Sequence, residues 1–141
     1  MALPADLKVS MRVTGLDGQT AEIADAFTTS AGNIIDPISF INEVQPIFTA
    51  SCAVSGCHSG TTPSAGLNLG TNAYSRIVNV SSGQRATLFL IKPLDPDNSY
   101  LIHKIKGNDI SGSRMPLGRT PLTVEVIALI ENWIRQGALN N

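Results

Sequence analysis

Hydrophobic positions fall in two different rhythms along the chain. Leu7, Val9, Met11 and Val13 alternate with polar residues, the period of a strand with one buried face, and Asp17-Gly18 then supplies a turn for a hairpin. The return stretch TAEIADAF has two readings, strand or helix, because Ile23 and Phe27 also stand at helical spacing. Beyond Ile35 the rhythm changes. Phe40, Ile41, Val44, Ile47 and Phe48 recur as on one side of a helix, with Asp36 as cap and Pro37 at the first helical position. Pro46 should kink or divide that helix, which delivers the chain directly to Cys52. Near the other end Thr123 caps a helix whose Ile127, Ile130, Trp133 and Ile134 form one stripe; Leu122 and Ile127 staple its entry and Gly137 closes it. Between them, residues 72–78 and 98–105 predict short helices and residues 87–91 a short extended piece. Short helices joined by long loops usually need something besides their own side chains to pack around.

The run TTSAGN, small and polar, reads as a linker and sets a boundary near Ile35, leaving residues 1–35 as an N-terminal extension and 36–141 as the main domain. With 141 residues, 43% hydrophobic and 15% charged, the chain can bury a real core and is not of disordered composition. Its formal charge of -1, with no basic block, argues against nucleic acid as a partner. No apolar run is long enough to span a bilayer, and MALPADLKVS lacks the pattern of a signal peptide, so an exported form would have lost its leader.

Against that background the stretch SCAVSGCHS stands out, because it holds both cysteines, Cys52 and Cys57, and one of the two histidines, His58. Three chemistries use such residues. A disulfide would close a small loop but leaves His58 unexplained. A zinc site needs four ligands, and the only further Cys or His is His103. Covalent haem attachment uses two thiols for thioether bonds and the histidine directly after the second Cys as proximal iron ligand, in the order found here. The usual spacer has two residues; this one has Ala53, Val54, Ser55 and Gly56, small residues that suit a bulge. A haem that passes electrons commonly takes a methionine thioether as its sixth ligand. Met1 is terminal and Met11 lies on the strand-like run, whereas Met115, in SRMPLG, sits in a loop just before the last helix.

NEVQPIFTASCAVSGCHSG, GLNLG, DPDNSYLIHKIKG and RMPLGRTPLTVEVIALIENWIRQGA together resemble successive landmarks of class I c-type cytochromes, over about residues 36–141. The resemblance implies a mostly α, cytochrome c-like small helical domain around one covalent haem c per chain, with the N-terminal extension as strand or hairpin. It implies thioether bonds at Cys52 and Cys57, His58 as proximal and Met115 as distal iron ligand, and an aromatic contact of Phe40 or Phe48 with Trp133. Arg114, Arg119 and Lys106 are candidates for pairing with haem propionates. The sequence departs from the pattern in its four-residue spacer and at Ser59, where the family often has glycine.

His103 reads as an ordinary helix residue, as an alternative sixth ligand, or as a ligand to a neighbouring subunit's haem. The proximal imidazole should give its second nitrogen to a backbone carbonyl in residues 63–69. The function expected from this set is electron transfer to redox partner proteins, without enzymatic activity, in a periplasmic or extracellular bacterial setting. The alternatives are a peroxidase or small-ligand sensor with a displaceable distal ligand, and self-association through residues 1–30.

Overall fold

The computed structural model describes residues 36–141 in full and, before them, the backbone of two strands alone. The contacts divide the chain into two units, Met1–Asp36 and Pro37–Asn141. In the first, β1 (Met11–Thr14) runs antiparallel to β2 (Thr20–Ile23), with Met11 opposite Ile23 and Thr14 opposite Thr20. Of the ambiguous return stretch, residues 20–23 are therefore strand; Leu7, Val9, Asp17, Gly18 and Phe27 lie outside the described residues.

The second unit is small and mostly helical. A π-helical turn, Phe40–Val44, leads into α1 (Gln45–Ser51); α2 (Tyr74–Ile77), α3 (Tyr100–Lys106) and α4 (Val124–Arg135) follow. The first helix begins at Ser39, not at Asp36 as its sequence suggests. The Ser39 hydroxyl accepts from the Asn42 N–H at 3.2 Å, and the Glu43 carboxylate accepts from the Ser39 N–H at 2.7 Å, a reciprocal cap. The cause is long-range. Gln136 accepts the Ile38 N–H at 2.7 Å, and Asn141 accepts those of Phe40 and Ile41 at 3.1 and 3.0 Å, so the chain's own C-terminal end satisfies these amides. Pro46 divides the helix as expected. It has no N–H to donate, and just before it the Gln45 N–H reaches back five residues to Phe40.

The shorter elements are trimmed by local backbone. The helix expected over residues 72–78 covers only Tyr74–Ile77, because Asn72 adopts φ +63°, outside the helical region. Residues 98–105 split into a 3₁₀ turn, Pro96–Asn98, capped by Asp95, and α3, which Gly107 ends at φ +82°. Residues 87–91 form no strand but make isolated bridges, Ser81 to Phe89, Val78 to Ile91 and Phe89 to Ser99.

Helix α4 organises the core, and both the π turn and α3 pack on it. Its Ile127, Ile130, Trp133 and Ile134 are buried, together with Val44, Phe48, Ile77, Ile91 and Ile105 from the other elements. Phe40 meets the Trp133 ring directly, with centroids 5.2 Å apart, and Phe48 stands edge-on to Phe40 at 6.3 Å. At the C-terminus of α4 the Gly137 N–H bonds Ile134 and the Ala138 N–H bonds Trp133, both at 2.9 Å, while Gly137 takes φ +101°. At its start the Thr123 hydroxyl accepts from the Val126 N–H at a long 3.4 Å. Thr123→Ala should therefore cost about 0.5 to 1 kcal/mol, the lower part of the range for cap removal, read as a lower urea midpoint at unchanged slope.

Candidate functional site

The segment that carries the two cysteines is built outward from the end of α1. The Cys52 and Ala53 N–H groups both donate to the Phe48 carbonyl, at 2.9 and 2.8 Å. The chain then turns, with Gly56 at φ +77° and the Cys57 N–H on Val54 at 3.0 Å, and the His58 N–H returns to the Cys52 carbonyl at 3.0 Å. The four-residue spacer is thus a closed turn rather than a slack loop. Ser59 braces it, its hydroxyl donating to the Val54 carbonyl at 2.9 Å, which gives the departure from glycine at this position a local purpose.

Residues 63–69 fold back beneath the imidazole. The Leu69 N–H donates to the His58 carbonyl at 2.8 Å, and His58 Nδ1 lies 3.1 Å from the Leu67 carbonyl oxygen, inside the stretch expected to supply an acceptor. A carbonyl oxygen only accepts, so Nδ1 carries the proton in this bond and a neutral ring keeps its lone pair on Nε2, the arrangement a metal-ligating imidazole needs. Gln45, which sequence reasoning did not single out, ties α1 to this fold-back: it donates to the Leu69 carbonyl at 3.1 Å and accepts the Ala73 N–H at 3.3 Å.

The loop that carries Met115 is sewn to the last turn of α3. Lys104 Nζ donates to the carbonyls of Ser111 and Ser113 at 2.9 and 2.8 Å, and Arg114 Nε donates to Ile105 at 2.8 Å. The Met115 N–H donates to Lys104 at 2.9 Å. Carbonyls that a helix end leaves without intrahelical partners are satisfied in this way. Arg85 anchors the loop's beginning with a bidentate pair to Asp109 at 2.6 and 2.8 Å, which holds the Asp109 carboxyl below the usual carboxylate range. Burial raises the Cys52 thiol to about 11; the Arg119 charge, farther along the loop, opposes this, and Cys57 adds a smaller upward push.

Cys52, Cys57 and His58 therefore share one bonded loop, which the Arg119 charge influences. Three other candidates are committed elsewhere. Arg114 lines a surface hollow of about 400 Å3 with Lys106, Val124 and Glu131, and Lys106 pairs there with the buried Glu131 carboxylate. His103 has both ring nitrogens near backbone carbonyls, Nε2 at 2.8 Å from Asp97 and Nδ1 at 3.2 Å from Asn108, of which a neutral ring can donate to one. Glu131 had one sequence signal, a carboxylate four residues after Ile127 at the edge of an apolar stripe; the approach of Arg119 to Cys52 had none.

Cys52 and Cys57 are free thiols, and among the described residues no three His, Cys, Asp or Glu side chains converge as ligands for a bare metal ion. The two unbonded thiols, followed by an imidazole oriented through Nδ1, instead fit a c-type haem, and the thioether of Met115 belongs to a separate loop tethered to α3. Apolar side chains that keep partial exposure come from the chain around the two cysteines, Ile47, Ala53 and Leu67, and from the C-terminal segment, Leu122, Val126 and Leu129. Such half-covered surface is what a porphyrin can bury.

The raised Cys52 pKa has a direct chemical readout. In haem-free protein Cys52 should resist iodoacetamide at about pH 8 and react roughly tenfold faster per pH unit as its pKa is approached, because the thiolate is the nucleophile. Mass mapping of the labelled cysteine checks this. No helix among the described residues is long and apolar enough to cross a membrane. Comparison with protein-family models, with curated proteins and with solved structures finds no match to the chain.

Proposed function

We propose that residues 36–141 hold one c-type haem and act as a one-electron carrier. Cys52 and Cys57 are the attachment thiols, His58 the proximal ligand and Met115 the distal one. The observation that carries this reading is the His58 Nδ1 contact with the Leu67 carbonyl, because it leaves Nε2 as the lone-pair nitrogen in a ring that directly follows two free thiols. When bound, the group supplies an iron centre that accepts and releases single electrons.

The chain's own residues set the conditions. The bond from His58 N–H to Cys52 fixes the imidazole relative to the attachment loop, and the Leu67 carbonyl fixes its ring orientation. The backbone bond from Met115 to Lys104, with the two Lys104 ammonium bonds, holds the thioether loop against α3, so Met115 is presented from a braced segment. Leu67, Leu122, Val126 and Leu129 limit water, which with a neutral thioether ligand favours the less charged, reduced state. With His58 and Met115 both holding the iron, the group would keep no open position for a substrate and would serve as a carrier rather than an enzyme. Covalent attachment implies assembly outside the cytoplasm.

An optical spectrum of the purified protein, oxidised and reduced, with a denatured pyridine complex, tests the reading. A c-type pyridine spectrum with the weak red methionine-to-ferric band is the expected result. A c-type spectrum without that band and with rapid carbon monoxide binding would remove Met115 from the distal position. Absence of haem would return Cys52, Cys57 and His58 to thiol chemistry.

A further inference from the structure

From Val44 to Ser75 the chain contains no Asp, Glu, Lys or Arg. This stretch is not interior: Ser55, Gly56, Gly60, Thr61, Thr62 and Gly66 are exposed around the loop that holds Cys52, Cys57 and His58. A Cβ added at Gly56, Gly60 or Gly66 would meet nothing within 4 Å, so backbone itself forms part of the outer face. From the loop after Met115, Arg119 is the charge whose influence reaches Cys52, and Leu117 is exposed two residues earlier. Half of the domain's other charged side chains pair with one another, Arg85 with Asp109, Lys92 with Asp95, Lys106 and Arg135 with Glu131, and Arg76 is held on the carbonyls of Thr71 and Asn72.

We propose that this uncharged face is a contact surface for a second copy of the same chain, the two meeting attachment loop to attachment loop. The charge pattern selects that occupant. A redox protein that recognises an acidic or basic partner presents the opposite sign around its contact, and charge complementarity is what discriminates such partners. Here there is no field to complement. A single-sign ring would keep two copies apart, whereas this face sets at most one Arg119 of each copy against the other. Charged residues are depleted in the cores of protein interfaces, and the surface has that composition before any partner arrives. Short side chains and bare backbone also let two copies approach closely. The proposal rests on the haem reading for its redox consequence: one electron passes from a reduced copy to an oxidised copy, which exchange states with no net reaction. The contact itself does not depend on that reading.

The test is amide NMR of the reduced protein over a concentration series, together with the electron self-exchange rate from line broadening in mixed oxidation states, each at about 0.05 M and about 0.5 M salt. Concentration-dependent shifts confined to residues 55–66 and 117–119, and a self-exchange rate changed less than about twofold by salt, are expected. Thr62→Glu and Thr62→Lys alter an exposed side chain that makes no hydrogen bond to another described residue. Each should slow self-exchange about tenfold at low salt through like-charge repulsion, and an equal mixture of the two should recover the loss in cross-exchange. Shifts elsewhere or none, strong salt dependence in the parent protein, or charge variants that exchange like the parent would overturn the proposal. If the pyridine spectrum shows no haem, the amide shifts alone decide whether the face is a contact.

Discussion

Trp133→Ala should lower the unfolding free energy by about 3 to 5 kcal/mol, the range for truncating a large buried aromatic, and so remove a large share of what a domain of this size has. The indole is fully buried at the centre of α4's inner face. It meets Phe40 at a 35° tilt with centroids 5.2 Å apart, Tyr74 edge-on at 6.5 Å, and its Nε1–H donates to the Leu139 carbonyl at 2.9 Å. Truncation would lose those aromatic contacts and leave the Leu139 carbonyl without its donor, and the loss should spread to both ends of the domain. The Leu139 bond helps place the tail that ends at Asn141, and Asn141 in turn caps the amides of Phe40 and Ile41. Chemical denaturation followed by far-ultraviolet circular dichroism reads the effect; a loss under about 1 kcal/mol would show that the π turn and α4 are not held together through this ring. Trp133→Phe, which keeps part of the packing but not the hydrogen bond, should fall between the two.

That same tail shows why the sequence was readable in some places and not in others. Helix α4 was legible from its start at Thr123 to Gly137 because its signals are local: a cap, a stripe at helical spacing and a glycine in the left-handed region. Gly56 in the spacer turn was legible for the same reason, since a bulge of small residues needs one position free of steric limits. The start of the first helix was not. Asp36-Pro37 is a sound local signal, but Gln136 and Asn141, about a hundred residues away, hold the amides of Ile38, Phe40 and Ile41, and a tertiary partner outweighs a local cap worth about 1 kcal/mol.

In the candidate site, residue order singled out Cys52, Cys57 and His58, which lie in one bonded loop, and the coordination chemistry of histidine pointed to a carbonyl in residues 63–69, where Leu67 stands. The nearness of Arg119 to Cys52 depends on how the loop after Met115 lies, which no periodicity encodes. Arg114 shows a second need that local reading misses. Its charge and its place beside Met115 suggested a propionate partner; its Nε also serves the carbonyl that α3 leaves unsatisfied at Ile105, a need visible only once the helix end is located.

Met115→Ala should leave the fold nearly unchanged while altering the spectrum and the reduction potential. The loop owes its position to groups that this substitution keeps: the residue-115 N–H on Lys104, the Lys104 ammonium on Ser111 and Ser113, and Arg114 on Ile105. Met115 itself is only half-buried, so truncation costs less than removal of a core side chain. With the thioether gone, the red ferric band should vanish and the reduced protein should bind carbon monoxide. The potential should fall by on the order of 0.1 V, a fraction of the roughly 0.8 V that axial ligands command, because a neutral soft donor no longer favours the reduced state. His103→Ala separates the two ligand assignments: with its ring held between the carbonyls of Asp97 and Asn108, the shorter approach being Nε2 to Asp97, its loss should affect stability and leave the band in place. A band that survives Met115→Ala and disappears with His103→Ala would reverse the assignment, and would require the imidazole to give up its bond to Asp97 before it could reach iron.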